Sequence, residues 1–195
     1  MDFIFIIGAP AVGKTTLAKE LYKKLGGVYI EQNAVPEFEI PPYVRDKGVY
    51  EEQVCWGCVL RQAEYFRGLG LHNIVILDFD DLRARELPLL FRGQSFMILR
   101  LVSSDMQKIL SQMDHRRDSE GGLYAPEMAK KISEKHLMRP LLPNEVMLDT
   151  ADRSKEQVLE EAFSLVRSFE PELSYEYELD DINNYYSWVQ SRGLN

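Results

Sequence analysis

The stretch FIFIIGAPAVGKTTLAKELYKKL, residues 3–25, decides the fold of this 195-residue chain. It begins with an apolar run from Phe3 to Ile7, which is typical of a strand buried on both faces of a parallel sheet. Its second half has apolar residues at helical spacing and stops at Gly26-Gly27. These apolar positions are Leu17, Ala18, Leu21, Tyr22 and Leu25. We therefore predict a strand, a loop and a helix in direct succession.

The loop between this strand and helix matches the phosphate-binding pattern G-x-x-x-x-G-K-[ST]. The matching residues are Gly8, Ala9, Pro10, Ala11, Val12, Gly13, Lys14 and Thr15, with Thr16 directly after them. The glycines permit turns that a Cβ resists, so successive N–H groups can point at phosphates near the positive end of the following helix. Lys14 is expected to reach the β- and γ-phosphates, and the Thr15 hydroxyl to ligate magnesium. Residues 8–16 are thus predicted to bind ATP with Mg²⁺.

The rest of the chain alternates between apolar runs and helical patterns. Further strands are predicted at 28–30, 73–77, 96–101 and 146–148, and further helices at 50–68, 82–91, 104–114, 125–138 and 154–168. This order is typical of right-handed βαβ units. We predict one α/β domain over residues 1–170, a three-layer α/β/α sandwich around a mostly parallel five-stranded sheet.

Residues 171–195 differ in composition, because acidic and aromatic side chains dominate there. We interpret this segment as a short C-terminal helical extension that docks its aromatic face on the core. A lid and a dimer contact are the alternatives, and the chain is expected to be a monomer or a homodimer.

Composition and charge limit the classes of partner that we expect for this chain. The chain has 31 acidic and 23 basic residues, a net charge of -8, which disfavours nucleic acid as a partner. The N-terminus lacks the pattern of a signal peptide, and no apolar run is long enough to span a bilayer. Two cysteines fit a reducing compartment. We expect a soluble cytoplasmic protein with no membrane partner.

Three carboxylates follow predicted strands, at the sheet edge where the phosphates would lie. Asp78 ends an apolar run and Asp80 follows closely, so we predict Asp78 near the magnesium and Asp80 near the acceptor. The alternative is an ordinary cap of the next helix. Glu31 ends the second strand and is predicted to accept a proton from a substrate hydroxyl. Its alternative is a polar residue entering a loop.

Arg116 and Arg117 precede Gly121-Gly122, a composition that suits a mobile flap. We predict a lid at about 114–125, whose arginines neutralise charge on the transferring phosphoryl group. The alternative is a solvated helix end. Arg139 is a weaker candidate for the same role.

Cys55-Trp56-Gly57-Cys58 has the spacing of a redox or zinc motif but lacks its context. There is no second cysteine pair, and the three histidines are scattered. The pair also lies within a helical pattern rather than after a strand. We interpret both cysteines as small core residues. Nearby Trp56, Arg61, Gln62 and Tyr65 could line an acceptor pocket, as could the preceding loop at 33–49.

With these motifs in this order, residues 1–170 resemble the P-loop small-molecule kinases. Within that superfamily the layout is similar to that of deoxynucleoside and thymidylate kinases. The resemblance rests on Glu31, on the helix carrying Trp56 and Gln62, on Asp78-Phe79-Asp80 and on Arg116-Arg117. The chain departs from the pattern where Gln32-Asn33 follows Glu31 and where Phe79 replaces an expected arginine.

The resemblance implies an ATP- and Mg²⁺-dependent kinase that phosphorylates a small molecule, a nucleoside or nucleotide being slightly favoured. The catalytic residues would be Lys14, Glu31, Asp80, Arg116 and Arg117. The alternative is a P-loop protein that binds or hydrolyses nucleotide and regulates a partner. A GTPase switch is disfavoured, because the guanine-reading sequence Asn-Lys-x-Asp is missing.

Overall fold

A computed structural model describes residues 1–31, 34–77, 81–120 and 125–174 of the chain. At 81, 82, 85, 86, 89 and 116–120 it describes the backbone only. The strands are β1 Phe3–Gly8, β2 Val28–Glu31, β3 Ile74–Leu77, β4 Phe96–Val102 and β5 Glu145–Asp149. The helices are α1 Lys14–Leu25, α2 Pro42–Arg45, α3 Glu51–Gly68, α4 Asp81–Leu90, α5 Met106–Glu120, α6 Pro126–Met138 and α7 Lys155–Ser168.

The five strands form one sheet in the order β2-β3-β1-β4-β5, and each neighbouring pair is parallel. Strand β1 is central, paired with β3 on one side and β4 on the other. The predicted five-stranded α/β fold is therefore confirmed, with every pairing parallel. Because parallel strands end at one edge, the segments after β1, β2 and β3 share that edge of the sheet.

The side chains of β1 alternate between two apolar cores, one on each face of the sheet. Phe3, Phe5 and Ile7 pack with residues of α3 and α4. Ile4 and Ile6 pack instead with residues of α1 and α7. All five are at most 1% exposed, and each buried side chain of this size contributes about 1.5–3 kcal/mol. Helices thus cover both faces, as the continuous apolar run of β1 predicts.

Two helices differ from the sequence-based expectation. Helix α5 extends to Glu120, beyond the predicted end at 114, because no glycine or proline interrupts the chain before Gly121. Arg116 and Arg117 therefore lie on its last turns. The segment predicted as a loop at 33–49 contains the short helix α2, which begins at Pro42, where a missing N–H costs nothing.

The start of the C-terminal extension is described to residue 174 and lies at the edge opposite the phosphate-binding loop. The Asn144 side chain, just before β5, donates to the Glu172 carbonyl at 2.9 Å and accepts from the Glu172 N–H at 2.8 Å. The Gly93 N–H, just before β4, donates to the Leu173 carbonyl at 3.1 Å. Residues 175–195, and with them the predicted docking helix, lie outside the described residues. Within the described ranges, no helix combines the length and apolarity that crossing a membrane requires.

Candidate nucleotide and acceptor site

The loop from Gly8 to Lys14 joins the end of the central strand to the start of α1. Gly8, Ala11 and Gly13 have positive φ angles of 152°, 61° and 102°. Such angles are accessible to glycine and uncommon for alanine, so the loop has a strained, sharply turned backbone. Ala11 is also anchored by packing against Ile109 and Met113 of α5. The structure thus places a tight turn where the motif predicts a phosphate cradle.

The positive end of α1 faces the same loop. Gly13 is the residue that caps this helix, and the first turn of the helix contains no acidic side chain. The partial positive charge of the helix start is therefore not neutralised within its own first turn. Thr15 is half-buried and Thr16 exposed in this turn. An anion with several oxygens fits this arrangement. The Thr15 hydroxyl could ligate a metal ion that is bound with this anion.

The Lys14 ammonium group lies over the loop itself. Its Nζ donates hydrogen bonds to the carbonyl oxygens of Gly8 and Ala9, both at 3.0 Å. The cation is therefore held directly beside the turn in which phosphates would bind. The role predicted for Lys14 in binding phosphates stays a prediction.

Glu31 lies two strands away from the loop, at the same edge of the sheet. The register pairs Glu31 with Leu77 of β3, and Leu77 with Ile6 of β1, two residues before Gly8. Two inter-strand spacings amount to roughly 10 Å, a distance that an acceptor and a phosphoryl group can fill. Its side chain is half-buried, and its carbonyl accepts from the Ala34 N–H at 3.0 Å. The predicted assignments to Asp78 and Asp80 lie outside the described residues.

A cavity of about 390 Å³ opens between the loop after β2 and the first turn of α3. Its lining residues are Phe38, Glu39, Ile40, Arg45, Tyr50, Glu51 and Glu52. The predicted contribution of the loop at 33–49 to a pocket therefore has a structural counterpart. Pockets for small molecules have volumes of about 300–1,000 Å³, so the cavity has a suitable size.

The residues predicted from α3 do not line this cavity. Trp56 is 4% exposed and belongs to the core, and Arg61 forms a surface ion pair with Glu64 at 2.9 Å. The physical reason is the helix rise of about 1.5 Å per residue, which carries position 61 about 15 Å away from the first turn. Tyr65 is 65% exposed still further along the helix. Trp56 is thus a core residue, and the predicted pocket role of Arg61, Gln62 and Tyr65 stays a prediction.

Cys55 and Cys58 are free cysteines one turn apart on α3. Burial raises the pKa of the Cys55 thiol, and the Glu51 carboxylate raises this pKa further. The thiol of Cys55 is thus kept protonated, unlike a catalytic or metal-bound thiolate. Among the described side chains, no group of three or more His, Cys, Asp or Glu residues could hold a metal ion. The interpretation of both cysteines as small core residues is confirmed for Cys55, whereas Cys58 is only partly buried.

Arg139 is not available to a phosphoryl group, contrary to its predicted secondary role. Its guanidinium makes two hydrogen bonds to the Glu145 carboxylate, Nη1–Oε2 at 2.8 Å and Nη2–Oε1 at 2.7 Å. Both side chains are buried, at 6% and 0% exposure, and Glu145 is the first residue of β5. The ion pair therefore lies toward the edge of the sheet opposite the phosphate-binding loop. For Arg116 and Arg117 the structure describes the backbone only, so their lid role stays a prediction.

Two further basic residues belong to the helices that follow β3 and β4. Arg83 of α4 is 3% exposed, lies over the Trp56 ring at 5.4 Å, and donates from Nη2 to the Glu52 carbonyl at 2.9 Å. Lys108 of α5 donates from Nζ to the carbonyls of the segment after β5, at 2.8 Å to Ala151. Neither residue belongs to a motif, so no sequence signal marked them. Arg83 thus holds the first turn of α3, and Lys108 holds the segment after β5.

Comparison with known proteins supports the fold. No family model matches the chain, and no curated protein matches it. A gluconokinase from Sinorhizobium meliloti 1021 is 15% identical with a TM-score of 0.60, and the match covers 85% of this chain and 92% of the gluconokinase. A sugar kinase from Janibacter sp. HTCC2649 is 18% identical with a TM-score of 0.59, and the match covers 90% of this chain and 99% of the sugar kinase. A thymidylate kinase from Candida albicans is 14% identical with a TM-score of 0.54, and the match covers 86% of this chain and 91% of the thymidylate kinase.

These structures share the chain's fold over most of their length at low sequence identity. Together with the strand order and the loop from Gly8 to Thr15, the similarity identifies the architecture. The chain has the fold of the P-loop small-molecule kinases.

Proposed function

We propose that this protein is a phosphotransferase that moves the γ-phosphoryl group of ATP to a small-molecule acceptor. The observation that carries the proposal is the turn from Gly8 to Gly13, which has three positive φ angles. This turn leads into helix α1, whose first turn contains no acidic side chain. Backbone N–H groups and Lys14 would hold the phosphates there. The kinase fold of the solved neighbours agrees with this proposal.

Each predicted residue has a place in the proposed reaction. Lys14 would stabilise charge on the transferring phosphoryl group, and Glu31 or Asp80 would orient the acceptor hydroxyl and take its proton. Arg116 and Arg117 would bring further positive charge from the end of α5. A magnesium ion bound with the nucleotide would neutralise phosphate charge, with Thr15 as its protein ligand and Asp78 nearby.

Catalysis by such a site depends on positioning. The acceptor and the nucleotide would occupy neighbouring parts of one sheet edge, so transfer needs no large covalent chemistry from the protein. The family resemblance favours a nucleoside or nucleotide as acceptor, and the solved neighbours also include kinases named for sugars. We propose a cytoplasmic protein without nucleic-acid partners.

The decisive measurement is ADP release from Mg²⁺-ATP across a panel of nucleosides, nucleoside monophosphates, sugars, hydroxy acids and hydroxylated amines. We expect a rise with one class of acceptor. Lys14→Ala should lower this rate by at least about 100-fold without unfolding the protein, because it removes a preorganised charge. Lys19→Ala on the exposed face of the same helix is the matched control and should leave the rate unchanged.

Two outcomes would argue against the proposal. Full turnover by a cleanly folded Lys14→Ala variant would show that the loop does not carry the reaction. Tight Mg²⁺-ATP binding or slow hydrolysis that no acceptor accelerates would instead favour the alternative, a P-loop protein that regulates a partner.

A further inference from the structure

Exposed apolar side chains occur together at the edge of the sheet where the strands begin, opposite the phosphate-binding loop. Helices α4 and α6 end at this edge, because the helices between parallel strands run back against them. Five large apolar side chains in this region are 36–84% exposed. We call them the apolar strip, and they are Leu90, Leu137, Met138, Leu141 and Leu173.

The backbone that carries the strip is fixed. Between Met138 and Leu141, the Arg139 guanidinium makes its two hydrogen bonds to the buried Glu145 carboxylate, at 2.8 and 2.7 Å. The Leu142 N–H donates to the same carboxylate at 2.6 Å. A surface that is already ordered loses little conformational entropy when another segment packs on it. Several exposed apolar side chains at one place are typical of such a packing surface.

The C-terminal part of the chain arrives at this surface. Glu172 makes two hydrogen bonds with the Asn144 side chain, at 2.9 and 2.8 Å, just before β5. The Leu173 carbonyl then accepts from the Gly93 N–H at 3.1 Å, in the turn between α4 and β4. The chain thus passes from α7, which packs on one face of the sheet, to the end of α4, which packs on the other. Residues 175–195 therefore begin beside the strip.

The sequence of these last residues suits an apolar surface. Tyr185, Trp188 and Val189 have the spacing i, i+3 and i+4, which predicts one apolar face of a helix. From Ser174 to Tyr185 the chain can span at most about 36–40 Å, at 3.3–3.6 Å per residue. This reach is sufficient for the aromatic residues to fold back onto the nearby strip.

Charge favours the same contact. Lys131 and Lys135 are exposed on α6 and share one face of this helix with Met138, because the three positions have the spacing i, i+4 and i+7. The whole chain has a net charge of -8, so basic side chains on one helix face are a local exception. The segment between the anchored residues and the aromatic ones is acidic, with Glu176, Glu178, Asp180 and Asp181. Opposite charges would steer this segment along α6.

We propose that residues 182–190 pack on the apolar strip of the same chain. Tyr185 and Trp188 cover Met138 and Leu141, and the acidic segment runs along the lysines of α6. The contact forms within one chain, because the short tether gives an effective concentration in the millimolar range. It stabilises the fold at the edge remote from the phosphate-binding loop. This inference is independent of the proposed kinase function.

The test measures thermal unfolding of the full-length chain. Met138 and Leu141 are 84% and 55% exposed, and substitutions at such positions ordinarily change stability little. We nevertheless expect the double variant Met138→Gln, Leu141→Gln to lower Tm by about 4 °C, because it removes the proposed contact. Trp188→Ala should lower Tm by a similar amount. Combining all three substitutions should cause little further loss, because each variant removes the same interaction.

The matched control makes the same kind of change elsewhere. Leu69 and Leu71 follow α3 and are 61% and 42% exposed. They lie toward the β2 side of the sheet, since α3 packs against β2 and β3. The double variant Leu69→Gln, Leu71→Gln should leave Tm unchanged.

Tryptophan fluorescence provides a direct readout. The chain has two tryptophans, so the emission of Trp188 is the difference between the spectra of wild type and Trp188→Phe. We expect this emission at a shorter wavelength than that of the urea-unfolded chain, because packing removes the indole from water. The double variant Met138→Gln, Leu141→Gln should shift it toward the unfolded value.

Four results would overturn the inference. The first is an unchanged Tm in the strip variant or in Trp188→Ala, and the second is an additive loss in their combination. The third is a Tm that rises with protein concentration together with a dimer in sedimentation, which would assign the strip to a second copy of the chain. The fourth is a change in ADP release by Trp188→Ala at an unchanged Tm, which would make the C-terminal segment a lid.

Discussion

Gly8 lies against the backbone carbonyl of Leu101 so closely that a Cβ at position 8 would come within 2.4 Å of the Leu101 oxygen. The two residues are paired in the register between β1 and β4. The start of the phosphate-binding loop is thus fitted to the neighbouring strand. The first glycine of the motif is required by packing as well as by its φ angle of 152°.

Gly8→Ala should therefore destabilise the fold and abolish nucleotide binding. A methyl group cannot be accommodated against a fixed backbone oxygen, so we expect a loss of about 3 kcal/mol in the free energy of unfolding. Urea denaturation and Mg²⁺-ATP titration would measure the two effects. Gly57→Ala, where nothing lies within 4 Å of an added Cβ inside helix α3, should instead stabilise by about 0.5–1 kcal/mol. Wild-type stability of Gly8→Ala would show that the loop and β4 are not fitted in this way.

Replacing both Arg116 and Arg117 with alanine should lower kcat far more than the affinity for ATP. These cations are proposed to stabilise charge that develops during transfer, so we expect kcat to fall about 100-fold and the KM of ATP to change little. Steady-state kinetics with the identified acceptor would measure both. The matched control removes the exposed pair Lys130 and Lys131 from the next helix, α6. An unchanged kcat in the arginine variant would remove α5 from the proposed mechanism.

Glu145→Ala should strongly destabilise the protein. It would leave the buried Arg139 guanidinium without the carboxylate that it contacts at 2.7 and 2.8 Å, and Arg100 is buried beside it. Breaking one side of a buried ion pair costs about 3–5 kcal/mol. In urea denaturation, Glu160→Ala is the control, because Glu160 pairs with Lys24 while 66% exposed and should contribute less than about 1 kcal/mol. Equal effects of the two variants would contradict the importance of burial.

Asp149→Asn should destabilise the protein at neutral pH and make no difference in acid. Burial raises the pKa of Asp149, but hydrogen bonds from Ser104 and Ala151 outweigh it, so the pKa is lowered on balance. Because the folded-state pKa is lowered, ionised Asp149 stabilises the fold at pH values above the ordinary aspartate pKa of about 3.9. This stabilisation is lost as the pH falls through the folded-state pKa.

Thermal unfolding of wild type and Asp149→Asn between pH 7 and pH 2 would show this convergence. The difference in Tm should begin to shrink near pH 4, about the ordinary pKa of an aspartate, and vanish below the folded-state pKa. The exposed Asp152, in the same turn, provides the control variant Asp152→Asn. A Tm difference that does not change with pH would mean that hydrogen-bond geometry, and not charge, is responsible.

Much of the fold was predictable from local patterns along the chain. The run from Phe3 to Ile7 and the glycine-containing loop after it are encoded by neighbouring residues, because burial on two faces demands continuous apolarity and a tight turn demands glycine. The strands and most helices follow from the same periodicities. The end of α5 was harder to predict, because helix propensity changes little between 114 and 120.

What the sequence by itself determined is a glycine-containing turn between a buried strand and a helix, within an alternating α/β chain. The tertiary structure alone decided which side chains are brought together and which are buried. It joined Arg139 to Glu145 across the turn before β5, moved Trp56 into the core, and brought Glu39 together with Glu51 around one cavity. These contacts depend on strand order and on how far each helix carries its residues from the sheet edge, and no local periodicity encodes either distance.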